Sequence, residues 1–238
     1  MIRKLHELDL NDKRVFVRVD YNVPIKDGKI TEPHRIEESL PTLRFILRPA
    51  KTVLIASHLG RPGGKKEPKW SLAPVRDYLE ISLSQPVTLA PDCIGEEVQA
   101  LAEDPRKERL ILLENLRFHK GEEANDPIFS KSLASLADVY VNDAFGAAHR
   151  AHASIVGMVQ FFRQKGAGLL LHKELDYLGK ILSNPEKPFI ALLGGAKVSD
   201  KIDVVRNLLP KVSSLLIGGG MAYTFLKAKG VDVGKSLM

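Results

Sequence analysis

The sequence predicts an α/β protein: a parallel, doubly wound (Rossmann-like) sheet, followed by a second α/β domain that is only partly present. Two observations carry this. Short apolar, β-branched runs alternate with stretches of helical period along the whole chain. Strands alternating with helices throughout mean a parallel sheet with helices on both faces. Each strong run also stops abruptly in polar residues, at the rim of the sheet where open α/β folds bind ligands.

The 238 residues allow one large domain or two ordinary ones, and 44% hydrophobic with 27% charged residues supports a real core. Lys and Arg number 35 against 29 Asp and Glu, a net charge of +6 that is scattered along the chain. A nucleic-acid binder concentrates such charge on one helix or tail, so no nucleic-acid partner is expected and a small anion suits the excess better. The single cysteine, Cys93, excludes an internal disulfide and reads as a buried or half-buried thiol in a reducing compartment. Neither a signal peptide nor a run of membrane-spanning length is present, so a soluble, cytoplasmic protein without a membrane partner is expected.

In order, residues 15–24 (VFVRVDYNVP) form the first buried strand, ending in Asp20, Tyr21, Asn22 and Pro24. Lys26, Asp27, Gly28 and Lys29 make a tight turn. Ile36, Leu40, Leu43, Ile46 and Leu47 have a helical period, with Arg35 in the first turn and Pro41 predicting a kink or a shorter helix. Residues 52–56 (TVLIA) are the second strand, running into Ser57, His58, Leu59, Gly60, Arg61 and Pro62. Ser71 caps a helix carrying Leu72, Val75, Tyr78 and Leu79. A short strand at 87–89 and a short helix at 96–103 follow. Residues 110–113 (LILL) lead into Arg117 and His119, and Asp126 with Pro127 opens a helix to about Leu136. The strand at 139–141 ends in a segment containing His149, Arg150 and His152.

A helical pattern from Leu171 to Leu182 and a Pro-rich boundary then separate 1–168, the first domain, from 188–238, with 169–187 as helix and linker. The second part reads β-α-β-α: a strand at 189–193, a helix from about Asp200 to Leu209, a strand at 215–217 and a helix at 222–229. Two strands bury too little surface for a doubly wound domain, which suggests an incomplete sequence.

Arg18, Asp20, Asn22, Arg35, His58, Arg61, Arg117, His149 and Arg150 recur at or just beyond four strand ends. Guanidinium forks match carboxylate and phosphate oxygens at two points, so this recurrence predicts one shared ligand with more than one anionic group. A carboxylate does not bind phosphate. Asp20 and Asn22 therefore predict a hydroxyl on the ligand, an arginine held in place, or a turn that caps its own backbone. His149 and His152 lack the further ligands of a metal site, and Arg150 between them repels a cation.

Gly194 and Gly195, then Lys197 and Lys201, follow a strand and open a helix, and Gly218, Gly219 and Gly220 follow the next strand. Free backbone N–H groups and a positive helix end suit an anion, and lysines four apart would share a helix face. The spacing is neither the Walker pattern nor G-x-G-x-x-G. Two anion sites on two domains suggest phosphoryl transfer between a small acid and a nucleotide, chemistry that needs positioning and charge neutralisation rather than a catalytic triad.

RVDYNVP, SHLGRP, LLENLRFHKGEE, NDAFGAAHRAHAS and LGGAKVSDKI, in this order, resemble phosphoglycerate kinase along nearly the whole chain, covering that family's N-terminal domain, interdomain helix and the start of its nucleotide domain. The resemblance implies reversible transfer between 1,3-bisphosphoglycerate and ADP, giving 3-phosphoglycerate and ATP, by a monomer with Mg-ATP or ADP as substrate nucleotide and no tightly bound cofactor or metal. It implies a substrate site of Asp20, Tyr21, Asn22, Arg35, His58, Leu59, Gly60, Arg61, Arg117, His149 and Arg150. The nucleotide site would use Gly194, Gly195, Lys197, Lys201, Gly218, Gly219 and Gly220; Arg35, Lys197 and Lys201 would be the catalytic residues, Arg35 neutralising the migrating phosphoryl group from the acid side and the two lysines meeting the nucleotide phosphates. Tyr21 stands where phenylalanine is common, and the residues before Arg35 are less typical. The family's later glycine-rich loop, ribose-binding acid and magnesium-positioning aspartate would lie beyond Met238. The alternative is a module that binds 3-phosphoglycerate and transfers nothing. A nicotinamide enzyme is disfavoured by the missing G-x-G-x-x-G.

Overall fold

Residues 2–104, 109–183 and 185–236 are described by a computed structural model. The chain divides into two compact units, 1–175 and 176–238, and the division falls inside one helix.

In the first unit the strands are β1 (Arg14–Arg18), β2 (Ile25–Lys26), β3 (Lys29–Ile30), β4 (Thr52–Ala56), β5 (Thr88–Leu89), β6 (Leu110–Leu112), β7 (Val139–Asn142) and β8 (Gln164–Ala167). The helices are α1 (His34–Leu47), α2 (Ala73–Leu83), α3 (Glu96–Glu103), α4 (Lys120–Glu123), α5 (Pro127–Ala134) and the start of α6 (Leu169–Ser183). Six strands make one sheet in the order β5-β6-β4-β1-β7-β8, every neighbouring pair parallel. The opening strand β1 is therefore central, with Arg18 registered against Ala56 of β4 and Asn142 of β7. Parallel pairing brings the C-terminal ends of β1, β4, β6 and β7 to one rim.

Side-chain alternation builds two cores. Val15, Val17, Val53, Ile55, Leu110, Leu112 and Val141 pack with Ile36, Leu43 and Ile46 of α1 and Val75 and Leu79 of α2. Phe16, Leu54, Ile111 and Tyr140 pack instead with Val98 of α3 and with Phe129 and Leu133 of α5. Helices cover both faces because each strand carries apolar residues at both parities.

Two local expectations, at Pro41 and at Ser71, need correction, while the tight turn at residues 26–29 forms. α1 continues through Pro41, whose ring is exposed while Ile36, Leu40, Leu43 and Ile46 are buried, so packing of the apolar face outweighs the lost hydrogen bond. The helix after Ser71 begins at Ala73, with the Ser71 hydroxyl accepting from the Ala73 N–H at 3.2 Å. The turn at Asp27 and Gly28 joins β2 and β3 into a small hairpin, both residues at positive φ. The edge strand β8, Gln164–Ala167, went unrecognised because QKGA lacks β-branched residues; its pairing with β7 forms it.

The second unit contains the rest of α6, the parallel pair β9 (Ile190–Gly194) and β10 (Ser214–Gly218), α7 (Ile202–Leu208) and α8 (Met221–Ala228). The helix expected over 200–209 is a single 3-10 turn, Ser199–Lys201, followed by the seven residues of α7. Ile190, Leu192 and Leu216 remain exposed. No helix among the described residues is long and apolar enough to cross a membrane.

Candidate active site

The sheet rim gathers most of the strand-end residues, and hydrogen bonds tie them in a chain. Arg35, in the first turn of α1, donates from Nη1 to Asp20 Oδ2 at 2.9 Å, and its side chain is 54% exposed. Of the roles open to Asp20, its geometry takes up two: Oδ2 holds Arg35, and Oδ1 accepts from the Asn22 N–H at 3.2 Å and so caps its own turn. Asn22 Oδ1 accepts from the Gly60 N–H at 2.9 Å, and the Gly60 carbonyl accepts from Arg117 Nη1 at 2.7 Å. The loop after β4 is thus clamped between the ends of β1 and β6. Gly60 has φ +61°, and a Cβ there would lie 2.1 Å from a Trp70 ring carbon, so only glycine fits the clamp.

Arg117 is nearly buried at 3% exposure. Its Nε faces Glu123 Oε1 at 3.2 Å, while its buried Nη2 has no hydrogen-bond partner among the described residues. Burial lowers its pKa; Glu123 opposes this, and the charges of Arg150 and Arg18 add to it. His58 is buried behind the same rim, with Nδ1 at 3.2 Å from Arg18 Nη2 and 4.0 Å from Asp20 Oδ1. Burial, then Arg18, Arg117, Arg150 and His152, push its pKa down to about 2, so the imidazole is neutral. Arg150 is half-buried and electrostatically coupled to both His58 and Arg117. Arg61 and His149 are exposed, and no hydrogen bond or ion pair joins them to the others among the described residues.

Tyr21 and Leu59 supply no side chain to this rim, contrary to the sequence expectation. Tyr21 is fully buried, its N–H bonded to Ser57 Oγ at 2.8 Å and its hydroxyl 2.7 Å from Ser39 Oγ. Ser39 donates to the Ile36 carbonyl and so accepts from Tyr21, which gives the extra hydroxyl a partner inside the core. Leu59 is a core residue whose backbone is bound at both ends by the Asn115 amide, at 3.2 and 2.8 Å.

In the second unit the two glycine runs meet, as adjacent strand ends require. The Met221 N–H donates to the Gly195 carbonyl at 2.8 Å, and a Cβ on Gly219, at φ +69°, would come within 3.0 Å of Gly195 backbone atoms. The side chain of Lys201 lies over Gly195, its Cε 3.2 Å from where a Cβ would be. Lys197 and Lys201 do not share a helix face, contrary to expectation: Lys197 is in the exposed loop and Lys201 closes the 3-10 turn ahead of α7. The tight strand-to-loop turn delays the helix by a full turn beyond Lys197.

A family model described as phosphoglycerate kinase matches residues 5–238. The chain belongs to the phosphoglycerate kinase family. It is 55% identical over 240 residues to a phosphoglycerate kinase of Koribacter versatilis and 57% identical over 242 residues to one of Acidobacterium capsulatum, covering 98% of this chain and 60% of the relative in each case. A solved phosphoglycerate kinase from Coxiella burnetii superposes with a TM-score of 0.88 at 44% identity, covering 100% of this chain and 59% of that one. The chain thus spans about 60% of the length of the curated relatives it matches.

The phosphoglycerate kinase motifs hold more supporting residues than the sequence reading assigned. Glu114 and Asn115 of LLENLRFHKGEE are buried: Glu114 accepts from the Ser71 hydroxyl (2.7 Å), the Leu72 N–H (2.9 Å) and the Asn115 N–H (2.8 Å). Glu122, in the same motif, is buried and accepts from the N–H and hydroxyl of Ser154 at 3.0 and 2.5 Å. For Glu114 the available signal was an acid within the apolar run LILLENL; Glu122, among polar neighbours, carried none. Cys93 is buried with its pKa raised by that burial, as expected. Among the described residues only Asp92, Cys93 and His119 bring metal-ligand atoms within 4.8 Å, and there His119 Nε2 is already bonded to Asp92 Oδ1 at 2.7 Å.

Proposed function

We propose that the rim formed by Asp20, Asn22, Arg35, His58, Gly60, Arg61, Arg117, His149 and Arg150 binds 3-phosphoglycerate or 1,3-bisphosphoglycerate. The chain would then act in reversible phosphoryl transfer with ADP or Mg-ATP. The observation that carries this reading is Arg117: a buried guanidinium that faces Glu123 through Nε, keeps an unpartnered Nη2 and has Arg18 and Arg150 nearby calls for an anion. Arg35 is held at its base by Asp20 and half-exposed at its tip, an arrangement suited to neutralising charge on a group arriving from outside the rim. Asp20 and Asn22 do their work on Arg35 and Gly60, and the Asn22 amide nitrogen remains for a substrate hydroxyl.

The meeting of Gly194 and Gly195 with Gly218, Gly219 and Gly220 supports a nucleotide over the second unit, with Lys197 and Lys201 on its phosphates. Both nearby side chains are cations, so magnesium belongs with the nucleotide as substrate rather than to a resident site on these residues. The attacking group in the ATP-consuming direction is the substrate's own carboxylate, so no base is required. We place the protein in the cytoplasm as a monomer, a reading supported by its family and by the lack of a membrane-spanning helix among the described residues.

The test pairs calorimetry with 3-phosphoglycerate and a coupled ATP assay. Binding together with turnover is expected, and Arg35→Ala should lower turnover about 10³-fold, the scale of an arginine acting on a transferring phosphoryl group. Unchanged turnover removes Arg35 from the mechanism. Binding without turnover in the parent protein leaves only the acid-binding module.

A further inference from the structure

Behind the rim lies a buried relay that the proposed chemistry does not itself use. Arg18 is fully buried at the end of β1. Alternation puts it on the same face as Phe16, under α4 and the segment after β7 rather than in solvent. Its Nε donates to Ser154 Oγ at 2.8 Å, and the Ser154 hydroxyl spends its one proton on Glu122 Oε1 at 2.5 Å. Glu122 is also fully buried, its Oε1 3.9 Å from Arg18 Nη2 and 3.8 Å from His152 Nδ1. Arg18 Nη1 donates to the Val19 carbonyl. The guanidinium plane is thereby fixed, and Nη2 points at His58 Nδ1 at 3.2 Å.

A guanidinium only donates, so His58 Nδ1 must accept with its lone pair and the ring proton must sit on Nε2. We propose that Arg18 and Glu122 are positioning residues that hold His58 neutral with its proton on Nε2, so that the rim offers an anionic ligand a fixed, uncharged donor at this point. The proposal rests on reading the rim as the acid-substrate site. The charged groups facing His58 from the surrounding elements agree with it: Arg18, Arg117, Arg150 and His152 all oppose a second ring proton, and Asp20 at 4.0 Å is too distant to bond one on Nδ1. Arg18 and Glu122 also offset each other's charge, leaving the attraction for an anion to Arg35, Arg61, Arg117 and Arg150.

The deciding measurement is long-range ¹H–¹⁵N NMR of the histidine rings in the intact protein, from pH 5 to 8, with and without 3-phosphoglycerate. His58 should show a protonated Nε2 and a bare Nδ1 at every pH, and ligand should shift the Nε2–H. In Arg18→Met the donor that holds the Nδ1 lone pair is lost, so a signal from the Nδ1-protonated tautomer should appear beside the Nε2 form, and the loss of a like charge moves the His58 pKa upward. If that variant does not fold, Ser154→Ala breaks the relay with a smaller change and should yield a mixture of tautomers. A proton on Nδ1, or a doubly protonated ring at pH 6 in the parent protein, overturns the proposal while leaving the site reading intact. The proposed tautomer with no response to 3-phosphoglycerate overturns it through the site reading instead.

Discussion

Replacing Asp143 with asparagine separates ionisation from shape at the end of β7. The carboxyl group is buried at 1% exposure; Oδ1 accepts from the Leu171 N–H at 3.0 Å in the first turn of α6, and Oδ2 has no partner among the described residues. Burial raises its pKa from 3.8 to about 6, against the opposing pull of Thr42 and the backbone of Leu171 and Leu170. The folded state therefore binds the proton more tightly than the unfolded chain does between these values, and stability falls as pH rises from about 4 to 6. Integrating the two pKa values, ionisation costs under about 1 kcal/mol at pH 4 and about 3 kcal/mol above pH 7. Asparagine keeps the Oδ1 acceptor and never ionises. Its buried amide hydrogens add a penalty of about 1–3 kcal/mol that does not vary with pH. Urea unfolding of both proteins at pH 4, 5, 6 and 8 should show the variant gaining about 2 kcal/mol on the parent between the ends of this range. A difference that is flat with pH, or that moves the other way, refutes a raised Asp143 pKa.

Other outcomes follow from the clamps around the rim. Arg117→Ala should weaken 3-phosphoglycerate binding about 10- to 100-fold by calorimetry, the loss of a charge-assisted contact; equal affinity would exclude its Nη2 from the site. Gly60→Ala forces a Cβ into Trp70 at positive φ and should cost about 2–4 kcal/mol in urea unfolding. An unchanged midpoint would mean the loop is not held as described. Glu114→Ala removes the acceptor of three buried donors and should cost about 3 kcal/mol or more, read from the same melts.

Much was legible in the chain itself. The apolar runs at residues 15–19, 52–56 and 110–113 predicted strands, their alternation with helical segments predicted a parallel sheet, and their polar ends predicted a ligand rim. Asp126 before Pro127 fixed a helix start, and the Asp126 side chain does accept from the Phe129 N–H at 2.8 Å. These are local signals, set by residue shape and hydrogen-bonding capacity within a few positions.

What the sequence could not supply is which strand-end residues face out. Arg18 and Arg35 look alike in one dimension, yet one is sealed in the core against Glu122 and the other stands half-exposed on Asp20. Tyr21 reads as a site residue between Asp20 and Asn22, but its side chain packs in the core, its hydroxyl on Ser39. Lys197 and Lys201 fit a helical spacing, but their helix starts later. Pairing distances of 104 residues or more, from Arg18 to Glu122 and on to Ser154, carry no local signature. Composition and pattern determined the sheet, its winding and the location of the rim; the direction of each side chain, and with it the protonation of His58, was decided only when the sheet closed around them.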